Sequence, residues 1–241
     1  MRVCIDAGHN YSNYDTGAEG YGLREQDVTF SVAWILKDLF EKIGIDVILT
    51  RAYREQNLGT NTDTSLQERV NTCHFHNCDY FISLHCNASA HETANGTEVY
   101  VCAKGGKAEE MAKCVQSAIV EKLGTASRGV KVSNYYVVKK TNCPAILVEL
   151  AFITNLRDST LLRTRQEDFA AAIFAGFCAF AGWKSGEKKE TPNELITVND
   201  IVWELASRGV LTDKQKWLKK LEEDRDAYWL ARKCVNYIRR L

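Results

Sequence analysis

The sequence carries no excess of charge: over 241 residues, 31 Lys and Arg balance 31 Asp and Glu. Proteins that live on nucleic-acid phosphates show a basic surplus, so no nucleic-acid partner is expected. Proline is scarce, at two in the whole chain, and no internal repeat or long low-complexity tract is visible. With 45% hydrophobic and 26% charged residues the composition is that of a globular protein able to bury a full core, which excludes disorder over most of its length. Long apolar runs are also missing. The longest uncharged one, Phe169 to Trp183, has fifteen residues, short of the ~20 a bilayer needs, and reads as a buried helix. No membrane span is expected. Nor is a signal peptide, because Met1-Arg2 leads straight into the strand-like Val3-Cys4-Ile5. The expectation is synthesis in the cytoplasm.

Cysteine, in contrast, is plentiful, with nine residues at irregular spacing. Without a leader most read as small buried apolar groups. Cys73-His74-Phe75-His76-Asn77-Cys78 has the look of a zinc site. The preferred reading is packing: Leu66, Val70 and Cys73 form a helical stripe, Asn77 is that helix's stop signal, and no second ligand pair lies nearby in sequence.

Apolar patterning alternates between two periods. Strand-like runs fall at 2–6, 45–49, 79–84, 97–102, 135–139 and 145–150. Runs with helical spacing fall at 25–43, 64–76, 106–123, 155–163 and 166–181. Strands interleaved with helices predict an α/β fold: a mainly parallel twisted sheet of about six strands with helices on both faces. In the first helix Val28, Val32, Ile35, Leu36, Leu39 and Ile43 make the stripe and Gly44 ends it. Asn95-Gly96 reads as a tight turn. Composition changes at Lys184. We expect a catalytic domain over 1–183, a linker over 184–193, and a small all-helical C-terminal domain of three helices over 194–241. The last 58 residues hold three of the five Trp and 13 basic against 10 acidic residues, a net charge too small to name an anionic partner. Trp217 and Trp229 sit on helical apolar stripes and read as core.

In open α/β sheets ligands bind beyond the carboxyl ends of the strands. His9 follows the first strand, His85 ends the third, and Glu149 ends the last. Glu25 opens the first helix in the middle of its apolar stripe, three, seven and eleven residues before Val28, Val32 and Leu36. A carboxylate facing the core is costly unless paired or bound to a metal, and the helix N-terminus repays only about 0.3–1 kcal/mol. The Gly-rich stretch Asp15 to Gly22 can fold this helix start back over His9. Two His and one Glu match a catalytic zinc site, which keeps three protein ligands and an open position. Glu149 is the spare carboxylate for proton transfer. Singly, each residue has a plainer role as a loop histidine, a strand-end histidine, a helix cap or an ion-pair partner. Their coincidence favours the metal reading.

Asp6-Ala7-Gly8-His9, Asp15-Thr16-Gly17-Ala18 and Gly22-Leu23-Arg24-Glu25 resemble the opening of the zinc-dependent N-acetylmuramoyl-L-alanine amidases of bacterial autolysins and phage endolysins. The resemblance continues through Leu49-Thr50-Arg51, Leu66 and Arg69, the run Asp79 to Ala88, and the run Pro144 to Asn155. It covers about residues 2–182. It implies one zinc ion (Zn2+) held by His9, Glu25 and His85, with Glu149 as the catalytic general base. It implies a peptidoglycan substrate, cut at the amide between N-acetylmuramic acid and L-alanine. Asn10, Thr16 and Cys86 depart from the usual Gly, Pro and Ala. The tail resembles short helical tails of such amidases, for which binding a wall polymer and joining protomers into a homo-oligomer are competing roles. Together with the missing leader, the resemblance implies action on the cell wall after release, in phage lysis or mother-cell lysis.

Three other readings fit parts of this set. A zinc peptidase acting on wall peptides also uses two His and a Glu, but its first His and Glu sit close together, whereas here they are sixteen apart. A thiol hydrolase on Cys86 would need His85, and neighbours on a strand point to opposite faces. A non-catalytic wall-binding protein would have no use for the complete set of four.

Overall fold

The computed structural model describes residues 1–183 together with Val202, Asp213, Lys216, Trp217 and Lys219. The chain divides into two units, Met1–Lys189 and Glu190–Leu241. The expected linker and the three helical patterns of 194–241 lie outside the described residues, apart from those five positions.

Within the first unit the elements run β1 (Arg2–Ala7), a two-residue hairpin β2 (Glu19–Gly20) and β3 (Leu23–Arg24), α1 (Glu25–Lys42), β4 (Asp46–Leu49), α2 (Thr62–Phe75), β5 (Tyr80–Asn87), β6 (Thr97–Val101), α3 (Lys107–Leu123), β7 (Ser127–Val132), α4 (Tyr136–Lys140), β8 (Ala145–Phe152), α5 (Leu156–Thr164) and α6 (Gln166–Phe180). Six strands form one sheet in the order β4-β1-β5-β8-β6-β7. Every neighbouring pair is parallel except β6 with β8, so the expected mainly parallel α/β sheet is what the chain builds.

The expected strand at 135–139 is not one. Those residues form α4, and the sixth strand is β7 instead. Val137 and Val138 are both buried, at 3% and 4% exposure, while Tyr136 is exposed. Adjacent residues cannot both face one side of a strand, but a short helix can turn both inward. β7, with sequence Ser-Arg-Gly-Val-Lys-Val, is an edge strand. One extra residue relative to β6 falls around Gly129, whose φ is +77°, as in a β-bulge. Its Arg and Lys blunt the edge against pairing with another chain and hide the apolar alternation.

The larger core lies between the sheet and α1, α3 and α6. Phe40 of α1 is fully buried and packs edge-on against Phe174 and Phe177 of α6, with ring centroids 5.4 and 5.0 Å apart. α6 takes up most of the fifteen-residue apolar run, and no helix among the described residues is long and apolar enough to cross a membrane. A smaller core lies on the other face, under α2 and α4. Helices therefore cover both faces. The chain leaves β1 through α1 for β4 on one side and returns through α2 to β5 on the other. That switch opens a crevice beyond the carboxyl ends of β1 and β5.

Candidate metal centre

Three side chains meet in that crevice. His9 follows β1, His85 lies in β5 and Glu25 is the first residue of α1. His9 Nε2 is 3.1 Å from Glu25 Oε1 and 3.1 Å from His85 Nδ1, and His85 Nδ1 is 3.0 Å from Glu25 Oε1. Ligands about 2.05 Å from a tetrahedral metal stand about 3.3 Å apart, so the triangle is close to the one a cation requires.

Local sequence explains the approach. His9 adopts φ +66°, which turns its ring inward at the end of β1. A Cβ on Gly8 would lie 2.5 Å from both His85 Cε1 and the Leu84 carbonyl oxygen, so only glycine lets β1 end against His85. A Cβ on Gly17 would lie 2.6 Å from Glu25 Cβ and 2.9 Å from His9 Cδ2. The Gly-rich loop thus folds over the start of α1, as its composition suggested. Glu25 has no ion-pair partner except the two histidines among the described residues. Its Oε2 accepts from Ala18 N and its Oε1 from Cys86 N, both at 2.9 Å.

Behind His9 stands a support that the sequence reading left without a role. Asp15 Oδ1 lies 3.2 Å from His9 Nδ1. Ser65 Oγ donates to Asp15 Oδ2 at 2.5 Å, and Arg69 Nη2 approaches the same oxygen at 3.4 Å. Buried Arg69 also donates to Asp6 Oδ1 at 2.8 Å and to the Ala7 carbonyl at 2.9 Å. Asn10, one of the departures from the resemblance, is fully buried. It accepts from Leu58 N and Arg69 Nη2 and donates to the Leu58 carbonyl, tying the 50–60 loop to the site. The signal for Asp15 was its nearness to His9 in a tight loop. Nothing local marked Arg69, whose partners Asp6, Ala7, Asn10 and Asp15 are all more than fifty residues away.

Electrostatics favour a cation. Burial works against charge on His9, but hydrogen bonds with Asp15 and Glu25 outweigh it and hold its pKa at about 9. Burial likewise opposes ionisation of Glu25, and the two histidines overcome it, holding the carboxyl well below its usual range. At a pKa of about 9 the ring holds a second proton at neutral pH, which a cation displaces; with Nδ1 donating to Asp15, the deprotonated Nε2 then offers its lone pair. Three acceptors then face one another, which a bound cation satisfies.

Glu149 sits beside them in β8, in register with His85 across β5. Its Oε2 is buried and has no hydrogen-bond partner among the described residues. Burial chiefly, with Glu25 and Glu98 pushing the same way against the pull of His85, raises its pKa to about 7. His9, His85 and Glu149 line a cleft of about 260 Å³, walled by Leu66, Leu147 and the Tyr135-Tyr136-Val137 segment. Cys86 faces the opposite core, 3% exposed, and burial pushes its thiol well above the ordinary range, which leaves it unsuited as a nucleophile.

All four residues singled out in sequence are therefore neighbours, in a fold set by strand order. Residues 3–179 match the sequence profile of the N-acetylmuramoyl-L-alanine amidases. The chain belongs to this family. Among amidases it is 35% identical over 182 residues to LytC of Bacillus subtilis (strain 168); the match takes in 74% of this chain and 35% of LytC, so the chain spans about a third of that relative. The amidase of Clostridium difficile 630 superimposes with a TM-score of 0.68 at 27% identity, over 76% of this chain and 98% of that one. The amidase catalytic domain of CwlV from Bacillus (Paenibacillus) polymyxa does so with a TM-score of 0.67 at 26% identity, over 76% and 99%.

Proposed function

We propose that the chain is a peptidoglycan hydrolase that cuts the amide between N-acetylmuramic acid and L-alanine, using one zinc ion held by His9, Glu25 and His85. The carrying observation is the donor triangle with sides of 3.0–3.1 Å, drawn from three distant segments, next to a carboxylate with an unpartnered buried oxygen. Zinc fits this set: two imidazole nitrogens and one carboxylate oxygen are its usual catalytic ligands.

When bound, zinc supplies Lewis acidity, lowering the pKa of a water and polarising a carbonyl. The protein's own groups do the rest. Asp15 fixes the His9 ring so that Nε2 faces the centre. Glu149 acts as general base: an oxygen with no hydrogen bond to give up takes the proton of the attacking water, and a pKa near 7 lets it return that proton to the leaving alanine nitrogen. Tyr135 and Tyr136, at 42% and 37% exposure on the cleft rim, offer aromatic faces to the substrate.

The test is digestion of purified peptidoglycan with mass analysis of the products. Stem peptides with free N-terminal L-alanine and uncut glycan strands are expected. Cleavage within the stem peptide would make it a zinc peptidase. Binding without release would make it a wall-binding protein.

A further inference from the structure

A second group of metal-ligating side chains lies in the smaller core, apart from the amidase site. Cys4 of β1, Cys73 of α2 and Cys78 of the following turn are buried, and their sulfur atoms all lie within 4.8 Å of one another. Cys143 Sγ, from the turn before β8, stands 3.7 Å from Cys73 Sγ. None of the described cysteines forms a disulfide.

The end of α2 explains why two of these thiols meet. Asn77 takes the left-handed conformation with φ +49°, Asn77 N donates to the His74 carbonyl at 3.0 Å, and Cys78 N donates to the Cys73 carbonyl at 3.2 Å. That pair of bonds is a Schellman motif, which brings the side chains three residues before and two residues after the cap into contact. In an ordinary helix end this contact is apolar. Here both positions are cysteine, so the C-x4-C spacing becomes a preformed pair of sulfur donors within 4.8 Å of each other. β1 supplies a third donor from below, and Cys143 in the loop at 141–144, which reaches Cys73 but is not within 4.8 Å of all three, is the candidate for the fourth. In an S4 site with Zn–S bonds of about 2.3 Å, sulfurs stand about 3.8 Å apart. The intervening histidines are not needed: His74 Nε2 already accepts from Asn142 N at 3.1 Å.

We propose that Cys4, Cys73, Cys78 and Cys143 form a thiolate site for a soft, tetrahedral divalent cation of the zinc class, with a structural role. Four thiols and no open position make a closed set. Cys143, the partly exposed member, gives the ion a way in. Such a staple ties the C-terminus of α2 to β1 and to the loop after α4. The same helix carries Ser65 and Arg69, which hold Asp15 behind His9, and α4 forms a wall of the cleft. The site does not depend on the hydrolytic reading.

Metal analysis of the full chain, purified under reducing conditions with zinc present, tests it. Wild type should hold about two equivalents of zinc, and His85→Ala and Cys78→Ser about one each. Cobalt loaded into folded His85→Ala should give the intense near-ultraviolet thiolate-to-cobalt charge-transfer band, a readout that stands even where Cys78→Ser fails to fold. A His85→Ala protein that holds no metal and shows no such band overturns the site. So does a metal-free Cys73–Cys143 disulfide in freshly reduced-then-desalted protein kept with zinc. Loss of wall hydrolysis alone, with both equivalents retained, leaves the thiolate site standing and counts against the amidase reading instead.

Discussion

His85 and Glu149 stand directly opposite each other on adjacent parallel strands, in the register that runs from Phe81 and Ala145 along β5 and β8. Side chains at matched positions of parallel neighbours share a face. One hydrogen-bonded ladder therefore puts a proposed ligand and the proposed base on the same side, and sends Cys86 to the other.

From this follows the separation of metal holding from proton transfer. Glu149→Gln keeps the shape of the side chain and removes its basicity. It should retain the metal of His9, Glu25 and His85 while hydrolysis of purified wall falls by about 10²–10⁴-fold, the usual worth of a positioned acid–base group. Turbidity clearance together with metal content checks this. Wild-type clearance by the variant would remove Glu149 from the mechanism.

Asp15 should matter through His9. Carboxylates that orient a metal-bound imidazole typically contribute 10–100-fold in metal affinity. Asp15→Asn leaves the contact with Ser65 and weakens the hold on Nδ1 of His9. After chelation, the free zinc that restores half of the hydrolysis should rise by about that factor, with the thermal midpoint little changed. Equal zinc requirement in the two proteins would mean that Asp15 only braces the loop.

The close approach at Gly8 has a sharper consequence. A methyl group there meets His85 and the Leu84 carbonyl at 2.5 Å, and the carbonyl belongs to the ladder and cannot swing aside. Gly8→Ala should cost about 1–3 kcal/mol in denaturant unfolding, as overpacking does, and should abolish hydrolysis by displacing His85. A variant with normal stability and activity would show that the β1–β5 contact yields easily.

Much of this was legible in the chain. Glu25 stood out because a charge in an apolar stripe has no cheap explanation, and the structure places it 3% exposed, bonded to Ala18 and Cys86 backbone and facing both histidines. His9 and His85 stood out because α/β strand ends gather ligands. The errors fall where local preference and tertiary context disagree. Tyr-Tyr-Val-Val at 135–138 has strand-forming residues, yet packing against the small core coils it into α4. The true edge strand carries Arg128, Gly129 and Lys131, which read as a loop. The Cys73–Cys78 pair was visible and read as packing because its further donors, Cys4 and Cys143, are brought in by strand order over separations no local window spans, as are the Asp6, Asn10 and Asp15 partners of Arg69.

Arg128 and Lys131 on that edge also set an acid limit to stability. Both pair with buried Glu98 of β6, Arg128 Nε at 2.8 Å, and the Tyr100 hydroxyl and Asn87 amide donate to its other oxygen. Burial opposes the charge, but Lys131, Arg128 and Tyr100 outweigh it and lower the pKa from 4.5 to about 2. A depressed folded-state pKa means stability that is complete above about 4.5 and drains away as pH falls toward about 2. Glu98→Gln should therefore be less stable than wild type at neutral pH, by roughly 1.5–3 kcal/mol for lost hydrogen bonds to a charged group. The gap should narrow steadily as pH drops from about 4.5 to about 2. Denaturant unfolding at a series of pH values reads this directly, and a gap that stays constant across the window would mean that the Glu98 cluster contributes no proton-linked stability.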